Sequence, residues 1–264
     1  MAKRLKPAPV YMVASEEGGE LEDLRRNGYC WLKRKLPLPL CAQVGELIRK
    51  DLGAKLDQGS SHQQEPVELL EPETGRAMLE LQEYFLHHVV GKLDGSTPPH
   101  VPAEFSDTLY GRLKRQHFHT AFHSDAFNTI FQRQFLTETH PNVKQFYELG
   151  ELPPQVSWSD LPIYTFWVCL TKVDSPHTSH LRVLPKSHQD RTAQRTKTNV
   201  LPAGFKYRVC EFAGPDFASH SDGGYEVGDV VIFHCLTVHE ANAQRTAKPS
   251  LERVSLDGRF VWQL

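Results

Sequence analysis

Fourteen histidines are spread along the 264 residues, and three of them stand two positions before an aspartate: His123-Ser124-Asp125, His188-Gln189-Asp190 and His220-Ser221-Asp222. In an extended strand residues two apart point to the same side, so His-x-Asp would present one imidazole and one carboxylate together. A second imidazole from a distant strand would complete a set of two histidines and one carboxylate on one face of Fe(II), leaving positions open for a co-substrate and O2. The pattern is weak by itself, because about one occurrence is expected by chance in so histidine-rich a chain. What separates the three is their position relative to the second histidine.

The best distal partner is His239, in GGYEVGDVVIFHCLTVHEA, where a Gly-Asp turn launches an apolar strand VVIFH and the histidine follows just past its end. His220 lies too near: the interval holds little more than one turn and one strand, whereas a double-stranded β-helix sets its two ligand groups on strands separated by several others. His188 follows Leu184-Pro185 and precedes the polar run QDRTAQRTKT, which reads as a loop. Topology therefore selects His123, Asp125 and His239 as metal ligands. His188 and His220 are left with surface or local hydrogen-bonding roles, and His234 with that of a locally satisfied strand histidine.

After His239, the segment RVSLDGRFVW places Arg253, Ser255, Asp257 and Arg259 on one face of an expected last strand. A guanidinium is a planar fork that matches a carboxylate with two hydrogen bonds, and a serine hydroxyl two residues on can add a third. Arg253 and Ser255 would thus suit the distal carboxylate of 2-oxoglutarate, whose 1-carboxylate and 2-keto group would chelate the iron. Trp167, in YTFWVCL, would wall that pocket or belong to the core. Arg245 and Arg259 read as surface salt-bridging residues. In DTLYGRLKRQ, Tyr110, Arg112, Lys114 and Gln116 share a face. Pointing inward, that face would bind a carboxylate or phosphate on a small polar substrate; pointing outward, it is a solvated basic stripe, the commoner fate of such charges.

These groups need a scaffold. Residues 19–52 read as a short helix ended by Asn27-Gly28, a strand YCWLK, and a second helix with Leu47 and Ile48 on its apolar face. Residues 53–73 are polar and read as a loop. An amphipathic helix follows, with Met78, Leu79, Leu81, Phe85, Val89 and Val90 at helical spacing, and Pro98, Pro99 and Pro102 close the helical part, about residues 19–97. From about residue 105 to 264 the pattern changes to short aromatic and β-branched runs: DTLYGRLKRQ, IYTFWVCLTKV, HLRVLP, FKYRVCEF, GDVVIFHC and RVSLDGRFVW. Helices followed by many short strands imply a β-sandwich or barrel flanked by helices, in one domain spanning 1–264. A partly helical insertion is expected over about 127–160, as a lid.

A formal charge of −2 gives no electrostatic reason for nucleic-acid or anionic-membrane binding, and no obligate partner is evident. Five scattered cysteines without a C-x-x-C pair suggest neither a disulfide framework nor a thiolate zinc site, and fit a reducing compartment. With no apolar stretch long enough for a signal peptide or membrane span, a cytoplasmic location is expected.

In ordered combination, RRNGYCWLKRKLP, FHSD, DLPIYTFWVCLTKVDSPHTSHLRVLPKSH, GDVVIFHCLTVHEANAQ and RVSLDGRF resemble the phytanoyl-CoA dioxygenase-like family of Fe(II)/2-oxoglutarate oxygenases, which includes ectoine hydroxylases. The resemblance implies a mainly β fold with flanking helices and a double-stranded β-helix (jelly-roll, cupin-like) core. It implies iron ligands at His123, Asp125 and His239, the 2-oxoglutarate carboxylate at Arg253, and Fe(II), 2-oxoglutarate and O2 as cofactor and co-substrates. Its usual glycine before Ser-His is Lys186 here, and its Asn-Gly before the following apolar run is Thr178-Ser179. Related halogenases lack the carboxylate ligand, so Asp125 points away from halogenation. The expected activity is oxidation, by default hydroxylation, of a C–H bond of a small polar metabolite with release of succinate and CO2. Two other readings stand beside it: a protein or peptide hydroxylase using residues 132–160 as a docking surface, and a non-oxidative cupin-like metal-binding protein. The Arg253-x-Ser255 pair argues against the latter.

Overall fold

The computed structural model describes residues 10–11, 14–58, 64–94, 99–114, 122–128, 154, 156–173, 180–193, 195–200, 206–210, 218–219, 224–242 and 252–264. After a short strand β1 (Val10–Tyr11), helix α1 (Glu20–Asn27) carries acidic residues in its first turn and arginines in its last, which complements the helix dipole. It stops at Gly28, whose φ of 79° is left-handed and whose N–H donates to the Leu24 carbonyl. The chain then enters β2 (Tyr29–Leu32) and, after Pro37, helix α2 (Leu38–Asp57). This helix extends through residues expected to be loop, because Ile48, Leu52 and Gly53 continue its buried face. The rest of that stretch is not featureless either: β3 (Gln64–Pro66) and a 3-10 turn at Val67–Leu69 lie within it.

Helix α3 (Pro72–Tyr84) begins with a proline in its first turn, where the missing N–H costs nothing. It passes into a π-helical turn, Phe85–Val90, and a last short helix α4 (Gly91–Asp94). Of the apolar positions expected on its inner face, Leu79 is 44% exposed; Met78, Leu81, Phe85, Val89 and Val90 are buried. Within α3 itself Leu79 stands about 100° round the helix from Met78, outside the face that Met78, Leu81 and Phe85 share.

Among the described residues nine further strands follow: β4 (Tyr110–Lys114), β5 (Ile163–Cys169), β6 (His180–Val183), β7 (Thr196–Val200), β8 (Lys206–Cys210), β9 (Ala218–Ser219), β10 (Val230–His234), β11 (His239–Asn242) and β12 (Arg253–Val261). They form a six-stranded sheet in the order β2-β10-β5-β12-β4-β3, a four-stranded sheet β1-β9-β6-β11, and the hairpin pair β7-β8. Strands β2 and β3, from the expected helical preface, are thus structural members of the large sheet. Strand β7 occupies residues read as polar loop, and β11 begins at His239 itself instead of leaving it beyond a strand end. Both strands are short and polar, so neither announces itself by apolar alternation.

The large sheet is buried on both faces. On one side Val230, Ile232, Phe166, Val168, Val254, Leu256 and Phe260 pack with the helices through Ile48, Leu52, Leu81 and Phe85. Phe85 stacks against Phe166 and Phe260 at 4.7 and 5.9 Å between ring centroids; burying such a side chain contributes about 1.5–3 kcal/mol. Gly258 permits this packing, since a Cβ there would lie 2.6 Å from Phe166 Cζ. On the other side Trp31, Trp167, Val231 and Phe233 meet Leu181 and Val183 of the small sheet. Two facing sheets, antiparallel except for the β1-β9 pair, give the mainly β, double-stranded β-helix architecture with helices on one flank. All five cysteines are buried and free. Among the described residues, no helix is long and apolar enough to cross a membrane.

Candidate metal centre

On β12 the side chains alternate between the helices and the space between the sheets, so the even positions are apolar and the odd positions Arg253, Ser255, Asp257 and Arg259 face inward. Cross-strand pairing brings Trp167 opposite Asp257 and Thr165 opposite Arg259 on β5, and Phe233 on β10 opposite Thr165. On the far side of β12, Arg112 of β4 is opposite Ser255. The small sheet contributes His239 and Leu181. A single pocket is lined by Arg112, His123, Asp125, Thr165, Trp167, Leu181, Phe233, His239, Arg253, Asp257 and Arg259.

One ligand atom from each of His123, Asp125 and His239 can be chosen so that all lie within 4.8 Å of one another, the spacing a single ion requires. His239 Nε2 is 3.6 Å from Asp125 Oδ1, and the two imidazole rings are 4.3 Å apart. His123 enters this position differently from the sequence expectation. It forms an isolated bridge with His239, each backbone N–H donating to the other's carbonyl, and Asp125 already opens a short helix α5 (Asp125–Asn128). His-x-Asp here straddles a strand-to-helix junction, so convergence depends on the turn at Ser124 and not on strand parity.

The surroundings fix each ligand. The Nδ1–H of His239 donates to the Thr237 carbonyl at 2.9 Å, which leaves the Nε2 lone pair for the centre. Burial lowers the pKa of His239 and so favours the neutral ring, although Asp125 opposes it. Burial raises the pKa of Asp125, but Arg259, His239, His123 and the Thr165 hydroxyl outweigh it and hold the carboxyl well below the usual range. The Thr165 hydroxyl and Arg259 Nη2 donate to Asp125 Oδ2 at 2.5 and 3.2 Å, so Oδ1 is the oxygen turned toward His239. Two imidazoles and an ionised carboxylate oxygen, converging on one pocket, suit a divalent first-row metal.

Arg253 stands at another wall, its guanidinium 5.7 Å from the Trp167 ring centroid. Burial and the nearby Arg112 cation lower its pKa to about 10, so it stays charged at neutral pH in an environment that an anion would relieve. Ser255, between Arg253 and Asp257 on the same face, has a buried hydroxyl without a hydrogen-bond partner among the described residues. A buried, unsatisfied hydroxyl beside a buried guanidinium is the donor pair a carboxylate would complete.

Two expectations are corrected. Arg259 is no surface residue: it is 6% exposed and bonds Asp125, Asp257 at 2.9 Å and the Thr108 carbonyl at 3.2 Å. The parity of β12, which sets it on the face of Arg253, was the available signal. The β4 face does not form a solvated basic stripe, because Arg112 turns inward, lines the pocket and binds Asp257 through Nε and, at 2.8 Å, through Nη2. Tyr110 lies under the Arg112 and Arg259 guanidinium groups without lining the pocket, and Lys114 ends β4 opposite Arg253. Of the two roles expected for His188, the hydrogen-bonding one is seen: the ring is buried, with Nε2 hydrogen-bonded to the Arg25 carbonyl at 3.0 Å. His234 is satisfied locally by the Leu161 carbonyl at 2.8 Å and the Leu236 N–H at 3.1 Å. His220, Arg245, Gln116 and most of the expected 127–160 insertion lie outside the described residues.

Residues 24–251 match the profile of the family described as Phytanoyl-CoA dioxygenase (PhyH). No curated protein sequence matches significantly. Among solved structures, the chain is similar to the epimerase SnoN in complex with Fe3+, alpha ketoglutarate and nogalamycin RO, with TM-score 0.56 and 18% identity over 92% of this chain and 82% of that one. It is also similar to HygX from Streptomyces hygroscopicus with nickel and 2-oxoglutarate bound (TM-score 0.55, 14% identity, 94% and 88% covered). A third, EctD from S. alaskensis in its apo form, gives TM-score 0.54 at 14% identity over 98% and 83%. At these identities the likeness shows a shared fold.

Proposed function

The chain belongs to the phytanoyl-CoA dioxygenase family of 2-oxoglutarate-dependent oxygenases, and on that premise we propose that it oxidises, by hydroxylation, a C–H bond of a small polar metabolite. The observation that carries the reading is the convergence of His123, Asp125 and His239 in the same pocket as Arg253. In this reading residues 1–264 act as one oxygenase domain. His123, Asp125 and His239 hold Fe(II), and Arg253 with the Ser255 hydroxyl binds the distal carboxylate of 2-oxoglutarate, with Trp167 as the pocket wall beside it. Iron and 2-oxoglutarate, when bound, supply the oxidising power from O2 as 2-oxoglutarate becomes succinate and CO2.

The chain's own residues supply position and environment. Thr237 holds the tautomer of His239, and Phe233, 4.6 Å from the His239 ring, and Leu181 give the pocket an apolar wall that excludes water. The substrate side is assigned to β4, where Arg112 lines the pocket, Tyr110 lies beside its guanidinium and Lys114 ends the strand. A cation at that wall favours a substrate with a carboxylate or phosphate. The two likenesses whose descriptions name bound 2-oxoglutarate or alpha ketoglutarate, SnoN and HygX, support the co-substrate assignment by shared fold.

The test is succinate formation from 2-oxoglutarate by anaerobically Fe(II)-loaded protein after aeration, with panels of small acids, phosphate esters and amines. Succinate that disappears in His123→Ala and is stimulated by an acidic compound supports the reading. Protein that binds neither Fe(II) nor 2-oxoglutarate would overturn it.

A further inference from the structure

Arg259 is the one cation joined directly to the carboxylate of the ligand set among the described residues, and its setting is built for that contact. Its Nη2 donates to Asp125 Oδ2 at 3.2 Å, and its Nη1 is held by Asp257 Oδ2 at 2.9 Å and the Thr108 carbonyl at 3.2 Å. Asp257 is itself braced by Arg112. Asp125, Arg259 and Asp257 are 4, 6 and 4% exposed, so water does not loosen the chain of contacts. The Thr165 hydroxyl, on the strand position opposite Arg259, donates to the same Oδ2 at 2.5 Å. Two donors from neighbouring strands therefore occupy one oxygen of Asp125 and none of these contacts touches the other.

We infer that Arg259, with Thr165, is a positioning residue that restricts Asp125 to ligation through Oδ1 alone. The inference rests on the functional reading above. A carboxylate free to turn can offer both oxygens to a metal, and the second would compete for one of the three positions otherwise open to the two donor atoms of 2-oxoglutarate and to O2. A cation so near a metal ligand also repels the metal, so it does not serve simple metal affinity. Its function lies in keeping positions open. Sequence alone hides this, because the arginine, the threonine and the aspartate are separated by 94 and 40 residues in the chain and meet only through the pairing of β5 with β12.

The distinguishing experiment measures two affinities separately under anaerobic conditions: Fe(II) for the protein, and 2-oxoglutarate for the Fe(II)-loaded protein, the latter by the visible absorption of the chelate. The proteins are wild type, Arg259→Met, Arg259→Lys and Thr165→Val, each with a urea unfolding curve. Arg259→Met and Thr165→Val are expected to bind Fe(II) as well as wild type or better, yet to need on the order of tenfold more 2-oxoglutarate, within the range found for residues that orient metal ligands. Arg259→Lys, which keeps one donor and the charge, recovers part of the loss. Thr165→Val, nearly isosteric, carries the test if Arg259→Met does not fold. Unchanged 2-oxoglutarate affinity, or an equal fall in both affinities together with stability, overturns the inference while leaving the functional reading intact. Wild type that forms no chelate at all overturns both.

Discussion

The ring of His239 is tied to the carbonyl of Thr237, two residues before it, by a 2.9 Å hydrogen bond from Nδ1. Because a carbonyl can only accept, the proton on this ring is assigned to Nδ1 and the other nitrogen is left as a lone pair facing Asp125. In the proposed centre the local backbone thereby prepares His239 for ligation through Nε2.

Replacement of a ligand should remove the centre without unfolding the chain. His239→Ala and His123→Ala are expected to weaken Fe(II) binding by more than about 100-fold, the upper end of what loss of an orienting neighbour alone produces. Anaerobic Fe(II) titration and a urea unfolding curve of the metal-free protein check this together. Metal binding within a few-fold of wild type in either variant would remove that histidine from the ligand set.

Arg253→Ala should act on 2-oxoglutarate and leave the metal alone. Truncating one side of a buried, hydrogen-bonded charge pair costs about 2–5 kcal/mol, so the apparent KM for 2-oxoglutarate should rise by at least about 30-fold with Fe(II) affinity unchanged. Ser255→Ala should produce a smaller rise of the same kind, on the order of fivefold, since it removes one neutral donor worth about 1 kcal/mol.

Acid should destabilise the metal-free fold through His188 and His234. Burial pushes their pKa values down to about 4 and about 3, below the ordinary 6.5. Between the folded and unfolded values the unfolded chain binds more protons, so stability rises with pH. The contribution is complete above about pH 6.5 and is lost as pH falls toward 4 and then 3. Urea midpoints at pH 5 and pH 7.5 should differ in wild type, and His188→Gln should show a smaller difference. Equal pH dependence in both proteins would exclude His188 from the effect.

Lys186 has φ of 65°, a left-handed conformation that a glycine would adopt without strain. Its N–H donates to the Asn27 carbonyl at 2.8 Å and so holds the turn to the end of α1. Left-handed backbone costs a residue with a Cβ about 1–2 kcal/mol, against about 0.5–1 kcal/mol for the extra freedom a glycine loses on folding. Lys186→Gly is expected to stabilise the protein by up to about 1 kcal/mol in urea denaturation. A loss of stability would show that the lysine side chain compensates the strain.

Much of the site was legible because its chemistry restricts residue type: few groups besides histidine and aspartate bind such a metal, and few besides arginine clasp a carboxylate. The large strands were legible where, as in VVIFH and IYTFWVC, both faces are buried and the run is continuously apolar. What escaped has a common cause in long-range pairing. Asp125 was expected on a strand, but the bridge between His123 and His239 ends the extended backbone before it. Arg259 was read as solvated because nothing local shows that Asp125, 134 residues earlier, is its partner. Thr165 looks like any β-branched strand residue until β5 lies beside β12. Leu79 was placed on the apolar face of its helix, yet it is exposed, since its neighbours Met78 and Leu81 already define the buried side.

The alternation along β12 also constrains how the gene can change. Its odd positions carry the charged groups of the site and its even positions the apolar contacts to the helices, within one continuous strand of nine residues. Loss or gain of a single codon there would exchange the two sets for every residue beyond the lesion, driving Asp257 and Arg259 into the helical interface and Leu256 and Phe260 into the pocket. Changes in pairs of codons preserve the parity. Length variation in this part of the chain should therefore be confined to the segment between β11 and β12, where it leaves the parity of the strand, and with it the make-up of both faces, unchanged.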